Sequence, residues 1–288
     1  MLALRAPQSF GAVSAPTRRR RRLARVGRIL GRTLIVALVI AASCARRPVD
    51  HDVPPAVPSR PTSSVQPARV VERLPSGRSY VLVAAPGDGP HPLLVVLPGL
   101  YLDVAHTAAQ TGVETWARTH DVTVVYGLGL GGSWVAGRDC CGYALHHRVD
   151  DLAYLQAVVA DVRGRTPIDA RAIGVMGDSL GGMMALRAAC ALPIFRLGAS
   201  VGGPLLVPCQ RAADLVRVRG LRDTTVPAAG GYDAYLHTQL PSLAAERKLL
   251  RHGAHERIVT WPGGHLWPRA RDGFDATALI GSALLAGA

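Results

Sequence analysis

The feature that most constrains the fold of this chain is a five-residue stretch, GDSLG at residues 177–181, which has the pattern G-x-S-x-G. An apolar run at 172–176 precedes this stretch, and a run rich in small, helix-forming residues at 180–192 follows it. A serine placed between a strand and a helix, with glycines on both sides, predicts a tight turn that presents its hydroxyl as a nucleophile. We therefore expect Ser179 to be a catalytic nucleophile.

The same pattern occurs a second time, as GASVG at residues 198–202. Gly203 and Pro204 follow this copy, and such a pair stops a helix. The strand-to-helix context that a nucleophile needs is therefore missing. We interpret Ser200 as a small residue within a strand.

Short apolar runs alternate with runs of helical spacing along most of the chain from about residue 69 onward. This alternation predicts the α/β class, with a mostly parallel central sheet and helices on both faces. The predicted strands lie at 70–74, 78–84, 93–97, 122–126, 172–176, 197–201, 215–219 and 257–261. The predicted helices lie at 104–119, 150–163, 180–192, 232–250 and 273–285.

A serine hydroxyl needs a base that accepts its proton, and the base needs an acid that orients it. His265 lies in a glycine-rich segment between the last predicted strand and the last predicted helix, where this class of fold presents its base. We therefore expect His265 to be the base. His237, His252 and His255 lie in a predicted helix or in a polar connection, and a solvated surface suits them better.

The expected acid is Asp223, because it follows a strand and so lies at the carboxyl edge of the sheet, where ligands bind in open α/β folds. Two other aspartates compete for this role. Asp214 precedes the same strand and belongs at the opposite edge, whereas Asp233 is better explained as a helix cap.

The tetrahedral intermediate of acyl transfer needs two backbone N–H donors. We expect one of them to be Leu180, which comes directly after the nucleophile. The other should follow the strand at 93–97, and we favour Leu100, with Tyr101 as the alternative.

The N-terminal segment carries most of the positive charge. Nine arginines precede residue 33 and supply most of the net charge of +13, so the charge gives no reason to expect binding to nucleic acid. The apolar run at 33–43 is too short to span a bilayer and fits a signal peptide. Small residues directly before Cys44 resemble a lipobox, which predicts a lipoprotein-type signal at 1–44 with Cys44 lipidated; ordinary cleavage nearby is the alternative.

Residues 45–68 are rich in Pro, Ser, Thr and Val and predict a flexible, extended linker. The remaining segment, 69–288, is then the predicted catalytic domain. This arrangement predicts an exported protein that a lipid anchor holds at the outer face of the cell membrane.

Four cysteines remain beyond Cys44, and an even number in an exported chain suggests two disulfides. A bridge between the adjacent Cys140 and Cys141 is strained. We therefore expect one of this pair to reach Cys190 and the other to reach Cys209, with free buried thiols as the alternative. No CxxC pattern accompanies the cysteines, so we expect no metal and no cofactor.

Several segments resemble the secreted polyhydroxybutyrate depolymerase and feruloyl esterase family, which includes the LpqC-type lipoproteins. The likeness extends from about residue 70 to the end of the chain. It rests on VLPGL (96–100), GSWVAG (132–137), CCG (140–142), VDDL (149–152), GDSLGGMMA (177–185), RGLRDTTVP (219–227), GGHLWP (263–268) and FDAT (274–277).

The resemblance implies an α/β-hydrolase fold with Ser179, Asp223 and His265 as the catalytic triad. It also implies that Trp134 and Trp267 border the site of the acyl group, and we expect Tyr101 to contact the substrate as well.

The chain departs from the family pattern at two places. The family usually has a histidine where this chain has Pro98, and it usually has Asn or Ala-like residues where this chain has Asp178 and Leu180. Pro98 removes a side-chain hydrogen bond that would brace the oxyanion loop. We therefore expect an altered rate or specificity, with the backbone donors retained.

These observations together predict a monomeric serine esterase that acts on small or polymeric carboxylic esters. Hydroxyalkanoate esters, hydroxycinnamoyl sugar esters and acetylated glycans are candidate substrates. Two alternatives remain open: a surface-tethered binding module that has the same fold but has lost turnover, and a peptidase of the same fold.

Overall fold

The computed structural model describes residues 68–250 and 253–287. The predicted signal peptide, the lipidation site at Cys44 and nearly all of the predicted linker lie outside these residues. The strands are β1 (Val70–Arg73), β2 (Ser79–Val83), β3 (His91–Leu97), β4 (Thr123–Gly127), β5 (Ile168–Asp178), β6 (Leu197–Val201), β7 (Asp214–Gly220), β8 (Gly231–Asp233), β9 (Thr238–Leu240) and β10 (His255–Trp261). The helices are α1 (Val104–Thr111), α2 (Val113–Thr119), α3 (Gly142–His146), α4 (Asp151–Arg165), α5 (Ser179–Ala191), α6 (Leu243–Arg247) and α7 (Ala276–Leu285).

Eight of the strands form one sheet in the order β1-β2-β4-β3-β5-β6-β7-β10. The six strands from β4 to β10 in this order run parallel, whereas β2 is antiparallel to both β1 and β4. The prediction of an α/β fold with a mostly parallel sheet is confirmed. The remaining two strands, β8 and β9, form a separate antiparallel hairpin.

The two faces of the sheet pack against separate hydrophobic clusters. Side chains alternate along a strand, so in β3 Leu93, Val95 and Leu97 join one cluster while Leu94 and Val96 join the other. Helices α4 and α5 cover the first face, and α1, α2 and α7 cover the second. Both faces are therefore buried, which explains why the strands read as continuous apolar runs in the sequence.

Two predicted helices differ from the structure. The helix predicted at 104–119 is broken into α1 and α2 at Gly112, whose φ of 63° ends the first helix. The segment predicted as a helix at 232–250 contains most of the β8–β9 hairpin and the short helix α6. None of the described helices has the length and apolar content that crossing a bilayer requires.

The disulfide connectivity corrects our prediction. Cys190, near the end of α5, pairs with Cys209, and Cys140 pairs with its neighbour Cys141. The loop before β7 brings Cys209 to the end of α5, where the N–H of Gln210 donates to the Cys190 carbonyl at 3.2 Å. The prediction that Cys140 and Cys141 each pair with one of the other two cysteines is wrong. The path of the chain brings Cys190 and Cys209 next to each other instead.

Candidate active site

Ser179 occupies the junction between β5 and α5. Its φ is 49°, in the left-handed region that non-glycine residues rarely adopt, and such strain is typical of residues held for function. The turn is tight because Gly181 lies against the end of β3. A Cβ atom on Gly181 would overlap the carbonyl oxygen of Leu97. The sequence therefore folds here into the sharp strand-to-helix turn that G-x-S-x-G predicts.

Asp223 and His265 form a hydrogen-bonded pair on neighbouring loops. His265 Nδ1 lies 2.7 Å from Asp223 Oδ2, and the Asp223 side chain is 1% exposed. The other carboxylate oxygen, Oδ1, accepts hydrogen bonds from the N–H groups of Thr225 (2.9 Å) and Val226 (2.7 Å). These backbone bonds fix the carboxylate, and the carboxylate in turn fixes the tautomer and orientation of the imidazole.

Ser179 and His265 both line a cavity of about 700 Å³ at the carboxyl edge of the sheet. Among the described residues, no hydrogen bond joins the side chains of Ser179 and His265, so the two line the same cavity without direct contact between their polar atoms. The catalytic hydrogen bonds of ligand-free enzymes are often loose and tighten only when substrate binds.

The segment 98–101, which we call the oxyanion loop, also lies at this cavity. The N–H of Tyr101 donates to the carbonyl of Gly132 at 2.8 Å, so Tyr101 does not offer that donor to a substrate. Among the described residues, the N–H of Leu100 has no backbone acceptor, and Leu100 lines the cavity. Leu180 lies in the first turn of α5, where N–H groups have no intrahelical partner.

The aromatic residues expected at the substrate lie in three different environments. Trp267 lines the cavity, and its indole N–H donates to Thr277 Oγ1 at 3.0 Å. Trp134 does not line the cavity: it is 1% exposed, and its indole N–H donates to the carbonyl of Pro98 at 2.9 Å. Tyr101 is 63% exposed and lies outside the set of cavity-lining residues. Trp134 instead supports the oxyanion loop from the core.

The second serine motif lies in the core. Ser200 is fully buried in β6, and its hydroxyl donates to the carbonyl of Gly203 at 2.7 Å. His255 is exposed and lies 3.3 Å from Asp214, far along the sheet from the cavity, and His252 lies outside the described residues. The side chain of Asp233 accepts the N–H groups of two nearby residues, so Asp233 caps a turn at the cavity rim.

Sequence reasoning did not assign a role to several residues of the site. Asp178 lines the cavity beside Ser179, and its Oδ1 accepts the N–H of Gly99 at 3.0 Å. Burial raises the pKa of this carboxyl group. The polar side chains of His106, Gln110 and Arg271 also line the cavity. No local pattern marks these residues, because only the fold brings α1 and the segment before α7 to the nucleophile.

A buried ionic cluster lies beneath the loop at 221–227, which carries Asp223. Arg219 Nη1 lies 2.7 Å from Glu246 Oε1, and its Nη2 donates to the carbonyl of Pro227 at 3.2 Å. Glu246 also pairs with Arg217 and accepts the N–H of Leu205. Burial lowers the pKa of Arg219 to about 10, and the charge of Arg217 adds to this effect. The cluster thus links the loop of Asp223 to β7 and α6.

No protein-family model matches the chain. A curated protein of Nocardia uniformis subsp. tsuyamanensis, "Putative esterase NocK", is 29% identical over 197 residues, which are 60% of this chain and 56% of that protein. The chain thus matches about half the length of this relative.

The fold is also similar to that of many solved structures, including two hydrolases. A 2,6-dihydroxy-pseudo-oxynicotine hydrolase superposes with a TM-score of 0.55 at 19% identity, covering 76% of this chain and 68% of that one. FphF, a fluorophosphonate-binding serine hydrolase of Staphylococcus aureus, gives a TM-score of 0.51 at 12% identity, covering 75% of this chain and 97% of that one. These likenesses establish the α/β-hydrolase fold.

Proposed function

We propose that this chain of α/β-hydrolase fold hydrolyses carboxylic esters through a serine acyl-enzyme. The observation that carries the proposal is that Ser179 and His265 line one cavity, and that Asp223 bonds His265 from behind the cavity wall. Ser179 lies on a strained strand-to-helix turn, and His265 is hydrogen-bonded at 2.7 Å to the buried Asp223. The likeness to the esterase-named relative from Nocardia supports the same class of reaction.

In the proposed first half-reaction, Ser179 Oγ attacks the ester carbonyl carbon while His265 Nε2 accepts the hydroxyl proton. Asp223 stabilises the imidazolium that forms. The N–H groups of Leu180 and Leu100 donate to the oxyanion, whose charge develops in the transition state and is complete in the tetrahedral intermediate. Collapse of the intermediate breaks the bond to the alcohol oxygen, and the alcohol leaves with the proton from His265.

In the second half-reaction, water attacks the acyl-enzyme and gives a proton to His265. The same two N–H groups donate to the second oxyanion. Collapse returns the proton to Ser179 and releases the carboxylic acid. One ester and one water thus yield one acid and one alcohol, and the enzyme needs no cofactor for this cycle.

The walls of the cavity support a substrate with a polar part and an apolar part. Tyr235, Leu236 and Leu266 supply apolar surface, while His106 and Arg271 supply hydrogen-bond donors. Hydroxyalkanoate esters, hydroxycinnamoyl sugar esters and acetylated glycans all combine such parts, and they remain the proposed substrate classes.

The proposal is tested with the purified full-length chain and its Ser179→Ala variant. The wild type should hydrolyse p-nitrophenyl acetate and react with a fluorophosphonate probe, and the variant should do neither. A panel of aliphatic, hydroxycinnamoyl and polyester substrates would then rank the substrate classes. A wild type that neither turns over any ester nor reacts with the probe would overturn the proposal and favour a binding module of the same fold.

We further propose that the protein acts outside the cytoplasm, anchored by a lipid on Cys44. The sequence pattern at 1–44 and the pairing of Cys190 with Cys209 support this location, because disulfides persist in oxidising compartments. Expressed in a bacterium, the wild type should partition into the detergent phase of Triton X-114. The Cys44→Ala variant should move to the aqueous phase, and equal partitioning of both would contradict the anchor.

A further inference from the structure

Three backbone groups of the oxyanion loop bond residues that are remote in the sequence. The carbonyl of Pro98 accepts the indole N–H of Trp134, the N–H of Gly99 donates to Asp178, and the N–H of Tyr101 donates to Gly132. These contacts lie on both sides of Leu100, whose N–H is the proposed oxyanion donor. The position of that donor is therefore set by the groups that hold its neighbours.

Among these contacts, only the one from Asp178 comes from the turn that carries the nucleophile. Asp178 directly precedes Ser179, and its Oδ1 accepts the N–H of Gly99 at 3.0 Å. One side chain thus connects the nucleophile turn to the oxyanion loop. A shift of either segment would change the distance between the serine hydroxyl and the Leu100 donor.

The packing around Asp178 is close enough to fix this connection. A Cβ atom built on Gly99 would lie 2.8 Å from Asp178 Oδ2, so the loop approaches the carboxyl group more closely than any other residue type would allow. The carboxyl group is buried, and its position beside Ser179 leaves it on the cavity wall. Burying a carboxyl group is costly unless its oxygens accept hydrogen bonds, and the Gly99 N–H is such a donor.

We infer that Asp178 is a positioning residue, which holds the Leu100 N–H at the oxyanion through its hydrogen bond to Gly99. The inference rests on the proposed ester hydrolysis. The bond also steadies the loop next to Pro98, which has no backbone N–H to donate.

The test compares Asp178→Ala with Asp178→Asn. An asparagine side chain retains an oxygen that can accept the Gly99 N–H, whereas alanine does not. Because oxyanion donors act mainly on the transition state, we expect Asp178→Ala to lower kcat about 10- to 100-fold and to change KM less than about twofold. The kcat of Asp178→Asn should be at least about tenfold higher than that of Asp178→Ala. Asp161→Ala is the matched control, since it removes a carboxylate that bonds Tyr80 and Arg165 far from the cavity.

A second measurement does not depend on activity. Amide hydrogen exchange, read by mass spectrometry on the peptide that contains residues 97–102, should be faster in Asp178→Ala than in the wild type. Asp178→Asn should restore protection, and Asp161→Ala should leave this peptide protected. Equal losses of kcat in the alanine and asparagine variants, or unchanged exchange in Asp178→Ala, would overturn the inference. A wild type without esterase activity would instead refute the proposed function, and the exchange data would still decide whether Asp178 braces the loop.

Discussion

The two G-x-S-x-G segments of this chain have the same pattern and opposite environments. Ser179 begins a helix with a φ of 49° and lines the cavity, whereas Ser200 lies within β6, fully buried and bonded to Gly203. The difference comes from the residues that follow each serine. A helix-forming run follows the first, and a Gly-Gly-Pro run follows the second. The comparison teaches that the residues after the serine, and not the pattern itself, decide whether a G-x-S-x-G segment forms a strand-to-helix turn at a cavity.

The second segment still contributes to the site. Gly202, its last residue, lies next to His265, the proposed base, because a Cβ atom built there would be 3.1 Å from His265 Cε1. Ser200 Oγ also accepts the N–H of Gly203 at 3.2 Å, which holds the chain beneath the nucleophile turn. In the proposed mechanism, the first segment supplies the reacting hydroxyl group, and Gly202 of the second segment leaves room for the side chain of His265.

The largest expected effect separates the two serines directly. Ser179→Ala should lower kcat by about 10⁴-fold or more, because no other group can form the acyl-enzyme. Ser200→Ala should keep kcat/KM within about fivefold, since its hydroxyl bonds only backbone groups and the change costs about 1–3 kcal/mol of stability. Steady-state hydrolysis of p-nitrophenyl acetate and thermal unfolding measure the two effects. Comparable loss of activity in both variants would break the comparison.

The next-largest effect tests whether Asp223 is the acid that acts with Ser179. Asp223→Asn should lower kcat about 10³- to 10⁴-fold, because the amide cannot hold the imidazole in the productive tautomer. Asp233→Asn is the control: this residue also lines the cavity, but its carboxylate bonds only the backbone of its own turn. The control should stay within about threefold of the wild-type rate, as expected for a capping residue away from the reacting atoms. A larger loss in Asp233→Asn than in Asp223→Asn would reassign the acid.

A smaller effect tests the contribution of the second segment. Gly202 has a φ of 75°, so Gly202→Ala both strains the backbone and crowds His265. Displacement of the base should lower kcat/KM about 10- to 100-fold. Gly87→Ala isolates the strain, because Gly87 has a φ of 95° and open space around it. If the two variants lose equal activity, crowding of the base is not the cause.

Much of this arrangement could be predicted from the sequence. Apolar runs and helical spacing predicted the order of strands and helices, because burial on both faces of a parallel sheet leaves a strong pattern. The segment 232–240 is an exception, because the helix predicted at 232–250 extends over it. Gly230 and Gly231, both with positive φ, instead begin a hairpin.

Contacts between distant segments could not be predicted in the same way. The role of Asp178 depends on the approach of the oxyanion loop to the nucleophile turn, and residue 99 is remote from it in the sequence. The place of Trp134 likewise depends on which side of that loop its ring reaches. Sequence rules describe single helices, strands and turns. A residue that holds a loop remote from it in the sequence therefore has no local sequence pattern that would reveal this role.

The smallest effect on activity is expected at the disulfide that encloses the second serine segment. The bond between Cys190 and Cys209 spans 19 positions and closes a loop that contains Ser200 but not Ser179. Replacing both cysteines with alanine should lower the free energy of unfolding by about 2–4 kcal/mol, because the unfolded chain regains the freedom of that loop. The activity of the folded protein should stay within about threefold of the wild type, because the bond lies at the far end of α5 from the nucleophile.

The pair Cys140 and Cys141 provides the matched control for this last prediction. Replacing these buried cysteines with alanine removes the same atoms, but their bond joins adjacent residues and encloses no segment of chain. Urea unfolding of the two double variants should therefore show the larger loss of stability for the 190–209 pair. Equal losses would attribute the effect to the lost packing of sulfur atoms. A loss of activity in the 190–209 variant at temperatures where it remains folded would mean that the second serine segment has a larger part in catalysis than the structure assigns to it.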